Sequence, residues 1–238
     1  MPKAKIMWGM VAYGPFPFAP VYASHLRAIA WASRYFAVDL AGDVEISGAG
    51  STDRTYTHSA ENHVAQELLD SDATHLFMTE MDMVLPKHAL PTLLELDKPV
   101  VSGVYFLRGS NGQPCLYKKV LTPPDNPYVH SPVHVFPTTG PFRIDCPGLG
   151  CVLIQREVFE RVPTPWFDLS AQKYGSDMYF YTKVKQAGIE VWAHPGVYCD
   201  QMDYTRIGYR DYVKRMNSDP DFAKTGFIIG MDEKALRG

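Results

Sequence analysis

Two carboxylates stand one residue apart at the end of an apolar run, in Leu76-Phe77-Met78-Thr79-Glu80-Met81-Asp82-Met83. Extended backbone points residues i and i+2 to the same side, so Glu80 and Asp82 can converge on one ion. Carboxylate oxygens suit hard divalent cations such as Mg²⁺ or Mn²⁺, which keep several waters and bridge to phosphates. In open α/β sheets ligands bind beyond the carboxyl ends of strands, where this pair falls. Two solvated acids at a strand end would read the same way taken alone.

Other reactive side chains are less patterned. Arg206, Arg210 and Lys214 recur every four residues, as a basic helix face or a phosphate-facing stripe, with Tyr204, Tyr209 and Tyr212 beside them. His58, His63 and His75, and His130 with His134, have no metal-motif spacing, and His75 sits in an apolar strand. Ser170 and Ser176 lack a nucleophile elbow. Cys115, Cys146, Cys151 and Cys199 form no C-x-x-C and read as reduced thiols without a zinc signature.

The elements that must position these groups alternate. Ile6 to Ala12 is a strand buried on both faces and stopped by Gly14-Pro15. A helix follows over Tyr22 to Phe36, a strand over Val38 to Ile46, and a helix over Ser59 to Leu69. His75 to Met78 is a strand, Pro86 to Leu96 a helix with proline near its start, and Pro99 to Phe106 a fourth strand. This alternation predicts an α/β layer with a mostly parallel sheet. From Pro114 to Pro147 there are eight prolines and little helical periodicity, which predicts edge strands and loops. Order returns with a strand at Val152 to Ile154 and helices over Arg156 to Val162 and Asp177 to Ala187, the latter closed by Gly188. A last strand spans Ile189 to Ala193 and a last helix Arg206 to Met216.

The chain has 238 residues, room for one large domain, and its 21% charged and 13% aromatic residues exclude a disordered polymer. A net charge of −3 argues against a general nucleic-acid or anionic-membrane binder. Residues 6 to 26 carry no charged side chain, but Gly9, Gly14, Pro15, Pro17 and Pro20 break that run, so neither a membrane span nor a signal peptide is expected. The expected location is cytoplasmic. No G-x-G-x-x-G or P-loop fingerprint is present.

Taken together, these segments resemble the GT-A-fold nucleotide-sugar glycosyltransferases, in particular the glycosyltransferase family 2-like proteins. In that family a helix beginning Arg-Asn precedes a strand ending Asp-x-Asp, then a helix, then a Val-x-Gly strand. The matching residues are Glu61-Asn62, then Glu80-Met81-Asp82, then Val101-Ser102-Gly103. A later signature reads Gly148-Leu149-Gly150-Cys151 with Arg156, Pro165-Trp166-Phe167, and Ser176-Asp177. The resemblance covers roughly residues 5 to 215.

The resemblance implies a single GT-A-like domain over 1–238, with a nucleotide-binding half at 1–108 and an acceptor-side half at 109–238. It implies a nucleoside-diphosphate sugar as donor and Mn²⁺ or Mg²⁺ held by Glu80, Asp82 and Gln201, the last where the family often has a histidine. Asp177 takes the place of the acid that deprotonates the acceptor hydroxyl in inverting members. Tyr13, Asp39, Asp43 and Asn62 fall where base, ribose and donor are held, and Gly148 and Gly150 would let backbone approach the sugar. The acceptor is a carbohydrate or another hydroxyl compound, with a modified DNA base disfavoured by the acidic pI of about 6.2. Three departures, Glu61 for arginine, Ser176 for glutamate and Gln201 for histidine, also fit a catalytically degenerate sugar- or nucleotide-binding protein. A metal-dependent phosphohydrolase is a third reading, with fewer His and Asp clusters than such enzymes show.

Overall fold

The computed structural model describes residues 4–11, 19–34, 37–40, 57–109, 112–119, 130–169, 175–202, 206–225 and 227–229. The first half runs β1 (Lys5–Val11), α1 (Ala19–Ala32), β2 (Ala37–Leu40), α2 (Thr57–Asp70), β3 (His75–Glu80), β4 (Met83–Val84), α3 (Ala89–Leu94) and β5 (Val100–Val104). Four short strands follow: β6 (Leu116–Lys119), β7 (His130–Val135), β8 (Phe142–Ile144) and β9 (Cys146–Pro147). Then come β10 (Cys151–Gln155), α4 (Arg156–Arg161), α5 (Ser176–Gln186) and β11 (Val191–Tyr198). The last are β12 (Asp200–Met202), β13 (Arg206–Ile207), α6 (Tyr209–Ser218) and β14 (Phe227–Ile228).

The fold is α/β with a mostly parallel central sheet flanked by helices. Its seven strands lie in the order β2-β1-β3-β10-β5-β11-β8. β1 pairs parallel with β2 and β3, and β11 parallel with β5, while β10 runs antiparallel between β3 and β5 and β8 antiparallel along β11. Both halves of the chain therefore contribute strands to one sheet. Two smaller sheets, β13-β12-β4 and β14-β7-β6-β9, complete the strand pairing among the described residues.

Side-chain alternation sends each inner strand to two cores. Ile6, Trp8, Phe77, Val101 and Leu153 pack with Ala28, Ala32, Leu90 and Leu93 of α1 and α3. Met7, Leu76, Met78, Val100, Val152 and Ile154 pack with residues of α2, α4 and α5 on the other face. Apolar residues on both faces are what a sheet covered by helices requires. A Cβ on Gly9 would collide with a Val64 methyl, so this glycine lets α2 lie close on β1.

Several boundaries differ from the periodicity. The first helix is Ala19–Ala32 and the third only Ala89–Leu94, because hydrophobic spacing continues past the point where the backbone turns. The last helix starts at Tyr209, after Gly208, and Arg206 lies in β13, so only Arg210 and Lys214 of the basic stripe share a helix. Of the second expected strand, Ala37–Leu40 forms, and 41–46 lies outside the described residues. The proline-rich stretch gives short strands as expected. All four cysteines are buried and free. No helix among the described residues is long and apolar enough to cross a membrane.

Candidate active site at the end of the third strand

β3 runs between β1 and β10 with its inner residues buried, and Glu80 is its last residue. The strand stops there. Met81 donates its N–H to Val11 O at 3.0 Å, and Met81 and Asp82 form a turn into β4. The same-side alternation that would pair Glu80 with Asp82 therefore does not extend to Asp82. The Asp82 side chain is buried, where Gln201 Nε2 donates to its Oδ2 at 3.0 Å and Arg108 Nε lies 3.4 Å from that oxygen. The Arg108 N–H donates to Gln201 Oε1 at 3.0 Å, so both ends of the Gln201 amide are engaged. β12 holds Gln201 there by pairing with β4, and Met202 N–H donates to Asp82 O at 2.8 Å.

Glu80 belongs to a second group. Glu61 on α2, Glu80 on β3 and Asp177 on α5 lie close enough that the fields of Asp177 and Glu80 both reach the Glu61 carboxyl. The same two acids reach the buried phenol of Tyr105 and the thiol of Cys115. Ser176 hydrogen-bonds Glu61 and neighbours Asp177 in sequence, which ties α5 to α2. Burial pushes the Glu61 carboxyl well above the usual range, with the Ser176 hydrogen bond opposing and the two acids adding to the rise.

Asp177 sits in the first turn of α5 and accepts the Met178 N–H at 2.8 Å. A helix start favours the charged form and so lowers a carboxyl's pKa. Instead burial raises it, outweighing that hydrogen bond. A carboxylate poised above its ordinary value is a better proton acceptor near neutral pH.

Asn62 is a clamp. Its amide nitrogen donates to His58 O and Phe167 O, each at 2.7 Å, and its Oδ1 accepts the Trp166 and Phe167 N–H groups at 3.0 and 3.2 Å. All four of its hydrogen-bonding positions are thus spent on backbone. Arg156 acts in a similar way, its guanidinium donating to Leu68 O, Leu69 O, Ser71 O and Ala73 O and so closing the end of α2. The space a Cβ would take on Gly148 is filled by the Tyr105 hydroxyl, and Gly150 N–H donates to the same hydroxyl at 3.4 Å. The two glycines make room for a buried tyrosine.

Tyr13 and Asp43 lie outside the described residues, as do Tyr204 and Ser170. The backbone of Asp39 pairs with Met7 in β2. Tyr212 donates to His134 O and packs with Phe106 and Phe136, which makes it a core residue. His134 is buried, stacks on Phe222 and bonds its carbonyl at 2.7 Å. Arg108 and Tyr105 are site residues that residue type and spacing did not single out. Their place just after the Val-x-Gly strand was the signal available. Among the described residues no group of three or more His, Cys, Asp or Glu is placed to hold a metal ion.

No protein-family model matches the chain, and no curated protein matches it. Many solved structures are similar in fold, among them the following two. A197 from STIV aligns with a TM-score of 0.53 at 15% identity, over 84% of this chain and 86% of that one, a likeness of fold. GalNAc-T7 with UDP, GalNAc and Mn²⁺ aligns with a TM-score of 0.45 at 11% identity, over 90% of this chain. The alignment spans 48% of that longer chain.

Proposed function

We propose that the protein is a metal-dependent glycosyltransferase of GT-A type that moves a sugar from a nucleoside diphosphate to a hydroxyl acceptor with inversion. What supports this reading is that Glu80, at the carboxyl end of a central strand, and Asp177, at the start of a helix almost a hundred residues later, both act electrostatically on the Glu61 carboxyl and the Tyr105 phenol. In this reading Glu80 would offer a carboxylate to a divalent cation of the kind held by one or two carboxylates, with water and substrate phosphates completing its shell, while Asp82 stays in its separate group with Gln201 and Arg108. Such an ion supplies Lewis-acid stabilisation of the diphosphate leaving group. Gln201 orients Asp82 in this scheme, and Asp177 accepts the proton of the attacking hydroxyl. With one base and no enzyme nucleophile, single displacement inverts the anomeric carbon. Asn62 and Arg156 hold α2 and the 166–167 segment so that Glu61 and Asp177 stay in register.

A second reading rests on the ion pair of Arg108 with Asp82. A guanidinium beside the motif acid could meet a diphosphate without a metal, giving a nucleotide-binding protein that does not turn over.

A thermal-shift panel of UDP, GDP and their sugars, with and without Mn²⁺, on wild type and Glu80→Ala, separates the two. Ligand at about a hundred times its Kd adds roughly 2.7 kcal/mol of stability. A Mn²⁺-dependent shift lost in Glu80→Ala supports the transferase. A shift that ignores Mn²⁺ favours the second reading, and no shift with any nucleotide refutes both.

A further inference from the structure

Among the described residues three large apolar side chains are exposed, and two of them, Tyr22 and Leu26, stand one turn apart on α1 at 58% and 49% exposure. Ala30, a turn further on, is exposed as well, so an apolar ridge runs along the outside of the helix. Arg27 and Arg34, two turns apart and both exposed, line up beside that ridge. The Arg34 guanidinium lies 5.2 Å from the centre of the Trp31 ring and the Lys87 ammonium 4.5 Å from it, which carries the basic edge across to the residues ahead of α3. No acid belongs to these segments. The first 38 residues hold Lys3, Lys5, Arg27 and Arg34 and neither Asp nor Glu, and residues 83–94 hold Lys87 and neither. The acids that make the whole chain negative lie elsewhere.

We infer that the outer face of α1 is a docking surface for an anionic lipid bilayer, with Tyr22 and Leu26 entering the interface and Arg27, Arg34 and Lys87 facing the headgroups. A helix that lies on a membrane has this composition, with apolar side chains on its exposed side and cations and aromatic rings at their edge. Tyr and Trp rings settle at headgroup level, and long basic side chains reach charged lipid while their stems cover apolar surface. Charge complementarity selects this occupant over the others. A second copy packed face to face would set three cations against the same three. A nucleic-acid backbone would meet the cations but give Leu26 and Ala30 nothing apolar to bury against. The opposite face of α1 is committed to the core, where Val21, Ala28 and Ala32 are buried and Ser24 Oγ accepts the Leu85 N–H at 3.1 Å. The outer face can therefore meet a bilayer without rearrangement of the fold. A net charge of −3 disfavours adhesion through the rest of the surface, which leaves this face to orient the protein. Such docking does not depend on what the site near Glu80 binds.

The test is co-sedimentation of the full chain with vesicles of phosphatidylcholine alone and of phosphatidylcholine mixed with phosphatidylserine. Wild type is expected on the mixed vesicles and not on the neutral ones, with binding that falls as salt rises. Each cation contributes about fivefold, so the triple variant Arg27→Gln, Arg34→Gln, Lys87→Gln lowers the partition coefficient by about a hundredfold. The double variant Tyr22→Ser, Leu26→Ser keeps every charge and lowers it by about tenfold. All five positions are exposed, and thermal unfolding confirms that both variants fold. A wild type that stays in solution beside mixed vesicles, or that binds neutral vesicles equally well, overturns the assignment. Binding retained in either variant does the same. A dimer in analytical ultracentrifugation that Leu26→Ser dissolves, without vesicle binding, gives the face to a second copy and overturns the bilayer. Duplex DNA binding without vesicle binding, lost in the triple variant and kept in the double one, gives the face to nucleic acid with the same consequence.

Discussion

Asn62→Ala should destabilise the protein by about 3 kcal/mol. The substitution removes the acceptor of the Trp166 and Phe167 N–H groups and the donor to Phe167 O. The two residues are 4% and 0% exposed, so water cannot readily take over. Each net hydrogen bond contributes about 1 kcal/mol, and each stranded buried group costs about 1–3 kcal/mol. Three such groups give roughly 3 kcal/mol even at the low end. The fourth bond, to His58 O, adds little because that carbonyl also serves the helix ladder. Asn62→Asp keeps the two acceptors and loses the donor, so it should fall between alanine and wild type. Urea unfolding followed by tryptophan fluorescence reads the effect as a lower midpoint at unchanged slope. In a chain of this length the same loss lowers Tm by about 6–12 °C. A loss below about 1 kcal/mol, accompanied by abolished nucleotide binding, would refute the clamp and make Asn62 a ligand contact.

Arg156→Lys should cost about 2 kcal/mol in the same assay, because an ammonium cannot reach four carbonyls that the guanidinium spans at 2.7–3.4 Å. Retention of wild-type stability would mean that those contacts contribute nothing. His25 predicts a specific acid lability. It is buried against Trp8, and burial lowers its pKa to about 4, a hydrogen bond to Met83 backbone opposing. The folded pKa lies below the unfolded value, so the neutral ring's stability is present above about pH 6.5 and lost as pH falls through about 4. Wild type should therefore lose about 3 kcal/mol more than His25→Gln between pH 6.5 and pH 4. Parallel stability curves for the two proteins would overturn this.

Much of the fold was legible because it depends on local pattern. The continuous apolar runs at Ile6–Val11 and Leu76–Met78 named strands buried on both faces, and Gly188 closed α5 with φ 70°. Helix ends were less legible, since α3 spans only Ala89–Leu94 of a longer periodic stretch. At the site, Glu80 could be picked out from residue type beside a strand end, and Asp177 only through the resemblance of Ser176-Asp177 to a family motif. The pKa of Asp177 could not, because a helix dipole acts locally while burial is set by elements from the whole chain.

The sequence by itself determined the layered α/β architecture and which acids end which elements, because both follow from the spacing of apolar and polar residues along a few turns or strands. Only the tertiary structure decided the partners. It turned Asp82 toward Gln201 and Arg108, made Asn62 a backbone clamp, and filled the space beside Gly148 with Tyr105. It also buried Glu61, which in the sequence is one more helix acid, where the fields of Asp177 and Glu80 reach its carboxyl. Each of these pairings joins residues tens to more than a hundred positions apart, and only the packing of helices onto a shared sheet fixes such distances.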